Sequence, residues 1–131
     1  EWMKLLYDEA SLRYPVHVVT ARPLSEHANV MEMLRRKGFC VAPDRLHMLP
    51  THLYYDPDPA THVEDFKWAK HKEIVAAHGQ VLARFGDKLW DVAHRRSLDT
   101  YLKHVKDEDT YLFHDPRLGR HTLSAKLPGT K

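Results

Sequence analysis

The sequence predicts an α/β fold, a parallel sheet flanked by helices, and three observations lead there. Short apolar, β-branched runs alternate along the chain with longer segments of helical periodicity. Pro15, Gly38 and Gly79 stand where helical patterns stop. The chain has 131 residues, 43% of them hydrophobic and 29% charged, which is ordinary globular usage and enough for a continuous core in one domain.

Taken in order, Trp2, Leu5, Leu6, Glu9 and Leu12 follow helical spacing, and the helix stops before Tyr14-Pro15 because proline biases its predecessor towards extended geometry. Val16-His17-Val18-Val19 is a short buried strand that ends at Thr20-Ala21-Arg22-Pro23. A second helix starts near Ser25, a candidate cap, carries Val30, Met31, Met33 and Leu34 on one face, and closes at Lys37-Gly38. Phe39-Cys40-Val41 and Leu46-His47-Met48-Leu49 are brief extended segments, followed by a Pro- and Asp-rich loop from Tyr54 to Pro59. A third helix spans about Val63 to His78, and Val81-Leu82-Ala83-Arg84-Phe85 is a strand that runs into Gly86-Asp87. A fourth helix is expected from Leu89 to Val105, and Thr110-Tyr111-Leu112-Phe113 is the last strand before an irregular tail. No internal repeat or low-complexity tract interrupts this alternation.

Charge and cysteine content narrow the function. Twenty basic and 18 acidic residues are mixed along the chain for a net charge of +2, so no basic arm or stripe points to nucleic acid. Arg35-Arg36-Lys37 and Arg95-Arg96 fit solvated helix faces. Cys40 is alone and cannot form an internal disulfide, which favours a reducing, intracellular compartment. The apolar runs fall short of the roughly 20 residues that span a bilayer, and a membrane partner is not expected. The chain opens at Glu1 with neither an initiator methionine nor a leader, as expected of a piece of a longer protein.

The chemistry lies at two strand ends, where open α/β sheets bind ligands. Thr20 offers a hydroxyl, and the amides of the following turn, at Ala21 and Arg22, can join it around a phosphate oxygen. In Gly86-Asp87-Lys88-Leu89-Trp90-Asp91 the glycine allows a sharp turn, and the two aspartates fall one helical turn apart, suited to a hard cation. The eleven histidines form no His-x-x-x-His pair with an intervening carboxylate, although His47 and His52 flank a loop near Asp56. No glycine-rich dinucleotide or P-loop motif and no serine hydrolase elbow is present. Trp68 and Trp90 fit core or interface packing.

These motifs, in this order, resemble those of haloacid-dehalogenase-type phosphatases over about Val16 to Asp91. Val16 to Arg22 looks like the family's second motif, and Gly86-Asp87-x-x-x-Asp91 looks like its fourth. Lys67, Lys70 and Lys72 compete for the third-motif lysine; Lys72, in Lys72-Glu73-Ile74-Val75, fits best and Lys67 next. The tail Tyr111 to Arg117 faintly resembles class B acid phosphatases, and phosphatase domains of nucleic-acid repair enzymes compare equally well.

The resemblance implies a three-layer, Rossmann-like sheet and a magnesium-dependent phosphomonoesterase that works through an aspartyl-phosphate. It gives Thr20 the role of binding the phosphoryl group with Ala21 and Arg22, and Lys72 that of stabilising the transition state. Asp87 would bind Mg2+, and Asp91 would bind it or orient its water. The family's first motif, a central strand bearing Asp-x-Asp, has no counterpart here. Asp56-Pro57-Asp58 follows the second motif and is flanked by prolines, so it fits a loop. The nucleophile and its strand are therefore expected from an upstream segment or a partner chain. The alternative is a catalytically inactive domain of the same fold that serves as a binding or assembly subunit. The short stretch from Pro43 to Thr61 leaves no room for a large cap, so a bulky or polymeric phosphorylated substrate would fit.

Overall fold

The computed structural model describes residues 2–56 and 59–129. Among them stand six α-helices and two small sheets, a mixed α/β arrangement. They form two compact units, the first ending at Val63 and the second beginning at Glu64. No helix among the described residues is long and apolar enough to cross a membrane.

The first unit opens with α1 (Trp2–Arg13) and continues through β1 (Val18–Pro23), α2 (His27–Arg36), β2 (Leu46–Leu49) and α3 (Thr51–Tyr54). Its core joins Val30 of α2, Val41, and Leu46 and Met48 of β2, with Tyr7, Val18 and Phe39 packed around them. The face expected for α1 is not the buried one: Leu5 and Leu12 are 66% and 80% exposed. Tyr7 reaches the core instead, its ring edge-on to Phe39 at 5.2 Å and its hydroxyl donating to the Cys40 carbonyl.

β1 pairs in parallel with β2, Val18 opposite Leu46 and Thr20 opposite Met48. The strand starts two residues later than the apolar run suggests and continues through Thr20, Ala21 and Arg22, where a turn was expected. A register shift between Thr20 and Pro23 explains both the extension and its end, because a proline without an N–H is tolerated at such an irregularity. Phe39-Cys40-Val41 is not a strand; its apolar side chains pack into the core from irregular backbone. Ser25 makes no side-chain cap, and a tight turn over Leu24–Glu26 leads into α2.

In the second unit α4 (Pro59–His78), which starts in the last residues of the first, ends at Gly79, where a positive φ of 86° suits only glycine. β3 (Ala83–Gly86), α5 (Leu89–Val92), α6 (Leu98–Leu102), β4 (Tyr111–His114) and β5 (Leu123–Lys126) follow. β5 is the middle strand, parallel to β3 and antiparallel to β4. The tail expected to be irregular thus supplies the centre of this sheet, and the sheet is mixed where a wholly parallel one was expected. Leu123-Ser124-Ala125-Lys126 lacks β-branched residues, which hides the strand from a propensity argument. Its two polar residues are buried and satisfied by main-chain carbonyls: Ser124 Oγ donates to Val92, and Lys126 Nζ to Asp107, Asp109 and Leu127.

The long helix expected from Leu89 to Val105 is broken into α5, a tight turn at Arg95–Ser97, and α6. Ala93 and His94 are extended, with ψ of 149° and 142°. In a continuous helix the His94 N–H would bond back four residues to Trp90; here it donates to the Asp115 carboxylate at 2.9 Å. The core of this unit gathers Leu89, Val92, Ala93, Val105 and Phe113 against Leu98, Tyr101 and Tyr111.

Candidate functional site

Within β1, short of the strand end where the sequence placed it, the Thr20 hydroxyl oxygen accepts the backbone N–H of Arg22 at 3.2 Å. That closes a local side-chain turn, so the Arg22 amide is already engaged with Thr20. Ala21 is half-buried and Arg22 exposed. Both belong to the first unit, whereas Lys67, Lys72, Asp87 and Asp91 belong to the second.

In the second unit the end of β3 and the start of α5 come together around Asp91. Lys67, on α4, donates to the Asp91 carboxylate, and the two side chains are only 15% and 17% exposed. Lys72 lies exposed on the same helix, its ammonium 6.0 Å from the centre of the Trp68 ring. Lys70 pairs with Glu73. Of the three competing lysines, Lys67 is the one the fold brings to Asp91. The spacing along α4 did not distinguish them, because it does not say which lysine faces β3.

Gly86 is required here by close approach rather than by a special φ. A Cβ on it would lie 2.5 Å from the Cβ of Asp91. Arg84, two residues earlier on β3, donates from Nη2 to the Asp91 main-chain oxygen at 2.6 Å. Sequence reasoning passed over Arg84, although a lone charge inside the apolar run Val81 to Phe85 was a visible signal. Burial pushes the Arg84 guanidinium pKa down, and the charges of Asp91 and Asp115 oppose that shift.

A small pocket beside this cluster is lined by Lys67, Trp68, Arg84, Trp90, His94 and Arg95, among others. Trp68 stacks on His71 at 5.2 Å and meets the His94 ring edge-on at 4.5 Å. His94 Nδ1 accepts the Arg96 N–H, which places the proton of the neutral ring on Nε2. His71 is buried, with Nε2 2.9 Å from the Leu118 carbonyl. Burial first, and the neighbouring Arg84 second, hold the His71 pKa below its ordinary 6.5. Burial lowers that of His94 as well.

A pH dependence follows from these two imidazoles. A histidine whose pKa is lower in the folded state binds its proton more readily when unfolded. Stability is therefore full above about pH 6.5 and declines as pH falls through the interval below it. NMR titration of His71 is expected to give a midpoint below 6.5, with urea stability decreasing over the same interval. A midpoint at or above the ordinary value would show that the ring is not enclosed as described.

The carboxylates suit a metal only in part. Among the described residues no group of three His, Cys, Asp or Glu side chains is placed to hold an ion. Mg2+, however, binds through one or two carboxylates, keeping water and phosphate oxygens in its other positions. Asp87 is half-buried at the strand end, and the carboxylate of Asp91 is held by the Lys67 ammonium. Elsewhere, His47 meets His17, ring nitrogens 2.9 Å apart, and Asp56 lies 3.2 Å from His62 Nε2. Pro57 and Asp58 are outside the described residues. Comparison of the chain with protein-family profiles, characterised proteins and solved structures gives no match.

Proposed function

We propose that this chain is part of a magnesium-dependent phosphomonoesterase of the haloacid-dehalogenase type, its nucleophilic aspartate lying outside the chain. The observation that carries the reading is the joining of Lys67 to Asp91 beside the Gly86-Asp87 strand end. This reading needs a lysine and two carboxylates within reach of one phosphate, and Lys67 takes the third-motif role in preference to Lys72. Within the first unit, Thr20 is the proposed phosphoryl-contacting residue, with Ala21 and Arg22 beside it. A Thr20 hydroxyl turned towards phosphate would release the Arg22 amide as a second donor.

Asp87 and Asp91 would hold Mg2+, which when bound neutralises phosphate charge and orients the group for in-line attack. Lys67 neutralises Asp91 before substrate arrives and can then donate to a phosphate oxygen, a preorganised charge of the kind that contributes most to such reactions. Among the described residues β1 pairs only with β2 and β3 only with β5, so one edge of each has no strand partner. In this reading an upstream segment or partner chain brings the nucleophile. The competing reading is an inactive domain of the same fold used for assembly.

Assay of the complete protein on a general phosphomonoester, with and without Mg2+, decides between the two. Activity is expected only with the metal. Asp87→Asn should reduce kcat on the order of a hundredfold or more, the loss of a few kcal/mol of transition-state stabilisation. Hydrolysis indifferent to both metal and substitution, or no hydrolysis at all, would remove the catalytic reading.

A further inference from the structure

We draw no further inference here: the strongest candidate, the apolar row of Phe85, Ala125 and Leu112 across the three strands of the second unit's sheet, leaves Phe85 and Leu112 exposed, but nothing in the structure shows what covers it.

Discussion

Asp115→Ala is expected to destabilise the second unit by about 3–5 kcal/mol, the range for removing one member of a buried, charge-assisted network. The Asp115 carboxylate is completely buried and accepts three hydrogen bonds. The His94 N–H reaches Oδ2 at 2.9 Å, and the Ser97 hydroxyl and Arg117 N–H reach Oδ1 at 3.0 and 3.1 Å. The Arg117 guanidinium also donates to the Ser97 oxygen at 2.9 Å, so the hydroxyl relays between a cation and the carboxylate. Alanine would leave these donors facing a void, and each unpaired buried group costs about 1–3 kcal/mol. Asp115→Asn keeps one acceptor oxygen and should lose distinctly less. The same network interrupts the helix after α5, so hydrogen exchange at His94 and Ser97 should accelerate in Asp115→Ala. Urea unfolding within 1 kcal/mol of wild type would show that the carboxylate does not organise this segment.

Sequence reasoning succeeds where one physical signal is local. α1, α2, α4 and β2 are legible as elements from local signals: Pro15, the apolar stripe of α2, the run Leu46 to Leu49, and glycines at positive φ at positions 38 and 79. It fails where the deciding partner is distant. Nothing near His94 announces that its amide bonds Asp115, 21 residues away, and the expected helix breaks there. β5 was invisible because its stabilising groups are polar, and the carbonyls that satisfy them lie far along the chain. The candidate site divides along the same line. Gly86-Asp87 and Asp91 could be named from a turn and a helical spacing, since both are local. Choosing Lys67 over Lys72 needed the rotation of α4 relative to β3, which a helix with lysines on several faces does not specify. Arg84 left a trace, a charge in an apolar strand, whose meaning appeared only with its contact to Asp91.

Lys126→Met should cost about 2–4 kcal/mol, because it removes the donor from buried carbonyls without replacing it. The ammonium of Lys126 is buried at the end of the central strand β5 and donates to the oxygens of Asp107, Asp109 and Leu127 at 2.6, 3.0 and 3.0 Å. Asp107 O retains a bond from the Gly129 N–H, so the loss falls mainly on Asp109 and Leu127. Removing an enclosed charge recovers part of its desolvation cost, which keeps the effect below the sum for unpaired groups. The same loop is also tied by the exposed pair between Lys88 and Asp107, 2.8 Å apart. Solvent screens that pair, and Lys88→Ala should leave stability nearly unchanged. Comparing the two variants by urea unfolding therefore separates burial from charge within one loop. Lys126→Gln, with donors but a shorter reach, should fall between them. The consequence extends to the site, since Lys88 follows Asp87 and is anchored by Asp107. Loosening the loop through Lys126 should increase hydrogen exchange at Asp87 and Lys88 as well as at Asp107 and Asp109. If Lys126→Met and Lys88→Ala prove equally mild, the buried ammonium does not hold this loop against the strand end.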